Sequence, residues 1–171
     1  MLKLYKLSDG GGQYWETWEE ASGVHRVHWG ELGTIGESRI VRSTLFSKAE
    51  AQIQKEIDSL VPIGFLPIEP EDHAILMIEY AIEGMGSESD LRKRHALEDR
   101  MNETLGWSGL GACDGGSIGS GTMEVCNFVV SFELAKRAIE ADLAGTEFAD
   151  YTRIYCEGAD DESLSPERAP E

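Results

Sequence analysis

The sequence predicts two α+β modules in series: a small antiparallel sheet with one helix over residues 1–66, then a strand-helix-strand-strand-helix-strand unit over residues 73–156. Three observations predict this. Through the first 46 positions apolar residues alternate with polar ones or gather in aromatic and β-branched runs, the habit of strands. Three later sets, Ile53/Ile57/Leu60, Leu97/Met101/Leu105 and Ala135/Ile139/Leu143, recur at the spacing of one helix face. Between the two patterns, Phe65-Leu66-Pro67-Ile68-Glu69-Pro70-Glu71-Asp72 carries three acids and two prolines, and residues 67–72 read as a linker.

The first strand is Met1-Leu2-Lys3-Leu4-Tyr5-Lys6-Leu7, whose alternation lacks the continuous apolar stretch of a secretory signal. Turns follow at Ser8-Asp9-Gly10-Gly11-Gly12 and Ala21-Ser22-Gly23, and between and after them Tyr14-Trp15-Glu16-Thr17-Trp18 and Val24-His25-Arg26-Val27-His28-Trp29 read as further strands. Ser47-Lys48-Ala49-Glu50 has the pattern of a capping box opening the first helix, which Pro62 and Gly64 end. In the second unit His73 to Ala81 is a strand, and Ser87 to Asp90 opens a helix with Gly106 at its C-terminal cap. Two strands, Leu110 to Asp114 and Met123 to Val130, are joined by a Gly/Ser-rich turn; a helix runs from a Ser131 cap to Gly145, and Thr152 to Cys156 is the last strand. That order is the order of a ferredoxin-like split βαβ sandwich, two helices on one face of a four-stranded antiparallel sheet. Residues 157–171 lack periodicity, include Asp160-Asp161-Glu162, and are expected to be a disordered acidic tail.

Charge narrows the function. The formal net charge is -17, which opposes polyanions, because phosphate binding draws its affinity from Lys and Arg. The excess is uneven: 9 acids face 7 bases over residues 1–66, against 17 and 7 over residues 67–156. DNA and anionic membranes are disfavoured partners, and no window has the roughly 18 apolar residues of a membrane span. Three cysteines, Cys113, Cys126 and Cys156, without Cys-x-x-Cys spacing, fit a reducing cytoplasm and read as small buried hydrophobes.

His28-Trp29-Gly30-Glu31-Leu32-Gly33-Thr34-Ile35-Gly36 carries a resemblance. It resembles the WGR domain of several poly-ADP-ribose polymerases and of free-standing bacterial proteins, whose core is Trp-Gly-Arg, an apolar residue, then Gly-Thr-x-Gly. Trp29, Gly30, Leu32, Gly33, Thr34 and Gly36 match it, as do the aromatic strand with Tyr14, Trp15 and Trp18 and the later Glu50, Ala51, Gly64 and Phe65. The resemblance implies a sheet-and-helix module over residues 1–66 and, in the polymerases, contact with DNA ends through the Trp and Arg. Here Glu31 stands in place of that Arg, exchanging a phosphate-seeking fork for a repelling charge. Arg26, Arg39 and Arg42 are the residues that could rebuild a basic face.

Catalytic patterns in the second unit fail on context. Gly115-Gly116-Ser117-Ile118-Gly119 fits a hydrolase elbow, and Gly116 to Thr122 approximates a phosphate loop, but each needs a helix where a strand is expected, and Thr122 occupies the Lys position. His25 and His28 point to opposite faces of one strand, so no metal site, cofactor or catalytic residue is expected. The function predicted is binding without catalysis, to a protein partner, with a homodimer compatible with an open sheet. The alternative is sensing of a small molecule or anion by the glycine hairpin, with Trp107, Asp114, Gly116, Ser117 and Gly119 as its residues, and a further alternative, implied by the WGR resemblance, is binding of nucleic-acid ends.

Overall fold

A computed structural model describes residues 1–158, and all but the first two residues of the tail expected over 157–171 lie outside the described residues. The architecture is mixed α+β: two antiparallel four-stranded sheets and three α-helices. Strands β1 (Leu2–Ser8), β2 (Gly11–Ala21), β3 (Val24–Glu31) and β4 (Glu37–Arg42) pair in chain order as a meander. Register sorts their side chains by period two. Leu4 lies opposite Trp15, and Trp15 opposite Trp29, so these share one face with Val27 and Val41. Helix α1 (Ala49–Leu60) closes that face with Ala49 and Ile53 in a dry apolar cluster.

The capping box expected at Ser47 does not form. Ser47 is held in a turn by Thr44, whose hydroxyl accepts its N–H at 3.1 Å, and the Ala49 N–H donates instead to Ser43 Oγ at 2.9 Å. A further turn, Val61–Ile63, has Pro62 in its first positions and stops at Gly64.

Strands β5 (Ala74–Ala81), β6 (Gly111–Gly119), β7 (Thr122–Val129) and β8 (Arg153–Cys156) form the second sheet in the order β6-β7-β5-β8. Helices α2 (Glu88–Trp107) and α3 (Phe132–Leu143) bury Leu97, Met101, Leu105, Ala135, Ile139 and Leu143 against Leu76, Ile78, Met123 and Val125. Ser87 and Asp90 make a reciprocal cap where the second helix was expected to open, and Ser131 accepts the Leu134 N–H at the start of α3. Asp142 of α3 accepts two bonds from Arg100 of α2, at 2.7 and 3.0 Å, fixing the helices side by side.

Two boundaries differ from expectation. Helix α2 passes through Gly106 to Trp107, and the left-handed residue that ends it is Gly109 (φ 69°). The Gly/Ser-rich segment is strand rather than turn: β6 runs to Gly119, with a bulge at Asp114, and only Ser120 (φ 53°) and Gly121 (φ 90°) turn, as a two-residue hairpin loop with positive φ at both positions. The glycines suit a strand that a helix presses upon. A Cβ on Gly116 would fall on the Glu124 carbonyl oxygen and lie 3.0 Å from Glu98 of α2.

The two sheets meet through one buried cluster, in which Tyr5, Tyr14 and Leu32 of the first join Leu110 and the core of the second. Gly109 makes room for this. A Cβ there would collide with the Tyr14 ring.

Candidate functional site

The face of the first sheet turned away from α1 carries Lys3, Tyr5, Tyr14, Glu16, Trp18 and His28, because these occupy the alternate positions of β1, β2 and β3. Glu16 is 3% exposed and His28 is 1% exposed, so both polar groups must find partners inside the protein. Glu16 Oε1 lies 2.7 Å from His28 Nδ1, and Lys3 Nζ lies 2.9 Å from Glu16 Oε2. The other ring nitrogen, Nε2, is 2.5 Å from the Ile35 carbonyl oxygen and 3.0 Å from the Tyr14 hydroxyl. Both ring nitrogens are thus engaged by groups of the protein itself.

Tyr14 is the hub. Its hydroxyl reaches the carbonyls of Ile35 at 2.9 Å and Thr34 at 3.1 Å, so the loop after β3 is drawn over the ring. Burial and the neighbouring negative charge of Glu16 push its ionisation up to about 12. Tyr5, beside it, is raised for the same two reasons in the same order.

Aromatic rings continue this face into the second module. His28 and Trp107 meet edge to face at 5.2 Å, Trp18 and Trp107 at 6.1 Å, and Trp18 and His28 at 6.4 Å. Beside Trp18 and Trp107 opens a crevice of about 310 Å³, walled by Met1, by Lys3, Glu16 and Trp18 of the first sheet, and by Asn102, Gly106 and Trp107 of α2. Trp107 is 39% exposed, a large aromatic left reachable at the mouth. His28 lies behind this wall, with both ring nitrogens bonded within the protein.

The residues singled out in the sequence are dispersed. Trp29 lies half-buried on the α1 face, opposite Trp15 and Glu37, with the Arg39 guanidinium 6.0 Å from its ring centre. Gly30 and Gly36 pack together around the Tyr14 hydroxyl, and a Cβ on Gly36 would stand 2.5 Å from that oxygen at a φ of 65°. Thr34 Oγ1 donates to the Glu31 carbonyl at 2.8 Å, Glu31 is exposed, and the Gly33 N–H donates to the Ser108 carbonyl of the second module at 3.0 Å. The motif therefore ties the modules together. Arg26 and Arg39 fall on opposite faces of the sheet, each ion-paired, to Glu20 and Glu56.

In the hairpin, Asp114 sits in the β6 bulge, Ser117 Oγ donates to Glu124 at 3.1 Å, and Gly119 faces Met85. The Gly116 carbonyl accepts from Arg94 Nη1 at 2.5 Å. Trp107 stands thirteen residues further along α2 than Arg94, about 20 Å of helix, so the hairpin glycines and Trp107 do not line one pocket. Among the described residues, no group of three or more His, Cys, Asp and Glu side chains is placed to hold a metal ion. No helix among them is long and apolar enough to cross a membrane.

Sequence reasoning passed over Glu16, His28, Lys3 and Trp18 as a group. One signal was present: Tyr14, Glu16 and Trp18 share a strand face, and an acid between two aromatics on a buried face requires a partner. No protein-family model matches the chain, and neither does any curated protein or solved structure.

Proposed function

We propose that the chain is a non-enzymatic binding protein, a WGR-like module followed by a ferredoxin-like one, that takes its ligand in the crevice between Trp18 and Trp107. The observation that carries this reading is the meeting of two tryptophans from separate modules at a hollow lined by the Lys3–Glu16 ion pair. The strand order β6-β7-β5-β8, with α2 and α3 on one face, supports the ferredoxin-like part. A meander followed by one helix supports the WGR-like part. Glu31, and the pairing of Arg26 and Arg39 with acids, weigh against DNA as the ligand.

A thermal-shift screen of small metabolites, anions and short peptides tests the crevice. A true ligand at a hundred times its Kd stabilises the protein by about 2.7 kcal/mol. The shift is expected in the wild type and in Gly119→Val, and lost in Trp107→Ala. A shift retained in Trp107→Ala and lost in Gly119→Val would move the site to the hairpin.

A protein partner is a second reading, favoured by Leu45 and Phe46, which project from the loop before α1 at 97% and 98% exposure. The net charge of -17 would steer a basic partner towards this chain. Raising salt should then slow association while leaving dissociation nearly unchanged.

A further inference from the structure

The hydrogen-bonding sense of the crevice restricts what can enter it, and resting on the reading above, we infer that its ligand is a small planar aromatic carboxylate. About 310 Å³ is at the small end of ligand pockets, enough for one or two fused rings. Trp18 and Trp107 meet edge to face with centroids 6.1 Å apart, and Trp107, 39% exposed, keeps ring surface on which a flat ring can stack.

The polar groups on the wall are donors. Glu16 supplies the only carboxylate among the lining residues, and its two oxygens are engaged by His28 and Lys3. Lys3 uses one of its three N–H bonds on Glu16 and keeps two. Asn102 spends its carbonyl on the Cys113 N–H at 3.1 Å, leaving its amide N–H groups for the crevice. A ligand must therefore bring acceptors, and Lys3 makes a negative one preferable. An ammonium ligand would meet the Lys3 charge and find the carboxylate already taken. The ring lies against Trp107 and Trp18; the carboxylate takes Lys3 Nζ and the Asn102 amide.

Tryptophan-fluorescence titration with five probes tests this: 2-naphthoate, 2-naphthylmethylamine, cyclohexanecarboxylate, and a Trp-free peptide ending in Phe, once with its carboxylate free and once amidated. The expected result is that naphthoate binds, that the amine and the alicyclic acid bind at least about tenfold more weakly, and that Lys3→Met costs naphthoate a factor of about ten. Lys3→Arg, which keeps the charge against Glu16, retains binding, and far-UV circular dichroism verifies that both variants fold. Tighter binding of the free-acid peptide than of the amidated one and of naphthoate would support the same chemistry and assign its source to a chain terminus. Binding of the amine as tight as naphthoate, no effect of Lys3→Met, or no binding by any probe would overturn the inference. Failure of the crevice itself has a different signature: naphthoate binding that Trp107→Ala leaves unchanged.

Discussion

The two faces of the first sheet bury comparable numbers of side chains by opposite means. Against α1 the contacts are Leu4, Trp15, Val27, Val41, Ile53 and Phe65, a dry cluster that needs only shape and apolar area. Against the second module the contacts include Lys3, Tyr14, Glu16 and His28, where every polar atom depends on a named partner. An apolar face tolerates repacking, whereas a buried ionic face is intolerant of losing one member and so fixes one arrangement of its neighbours. The difference teaches that the helix-covered face holds the module together and the polar face specifies how the second module sits upon it.

The largest expected effect comes from breaking the polar face. Glu16→Ala strands His28 and Lys3 without their carboxylate and should cost about 3–5 kcal/mol. Because Trp107 packs on His28, tryptophan emission of the folded variant should shift as well. Ile53→Ala on the dry face should cost about 2–4 kcal/mol and leave the folded-state emission of Trp107 as it was. Equal emission changes in the two variants would erase the distinction between the faces.

A smaller effect separates them by pH. Tyr14 is held up to about 12 by burial and then by Glu16, so the folded state keeps its proton where the unfolded chain loses it near 10. The resulting stability is complete below pH 10 and falls away as pH rises towards 12. Tyr14→Phe should flatten part of that alkaline decline and cost about 1–2 kcal/mol at neutral pH, since the Thr34 and Ile35 carbonyls lose the bond from the hydroxyl. Denaturant melts across pH 8–12 measure it; an unaltered alkaline slope in the variant would count against Tyr14 as the hub. The smallest effect is Ser87→Ala, which removes the α2 cap far from both faces, costing about 1 kcal/mol without moving the emission spectrum.

Most elements were legible because their signals are local. The Ser87–Asp90 cap and the rows Leu97/Met101/Leu105 and Ala135/Ile139/Leu143 lie within a few residues of one another, and all six apolar side chains are fully buried. The second half of strand β6 was read as a turn, since four glycines among the nine residues of the strand argue against extended structure until α2 is seen pressing on Gly116. Ser47 misled because its N–H was already claimed by Thr44. The crevice was least legible. Glu16 and His28 are twelve positions apart and Trp18 and Trp107 come from different modules, so their meeting depends on strand register and on how Gly109 lets Tyr14 approach.

The most direct measurement of the central claim is residue-resolved amide hydrogen exchange in the two sheets, in the wild type and in Glu16→Ala. If the polar face fixes the two modules as one unit, the slowest amides of β2 and β7 exchange with the same free energy of opening in the wild type, and Glu16→Ala lowers both. Separate opening energies in the wild type, or a loss confined to β2 in the variant, would contradict it.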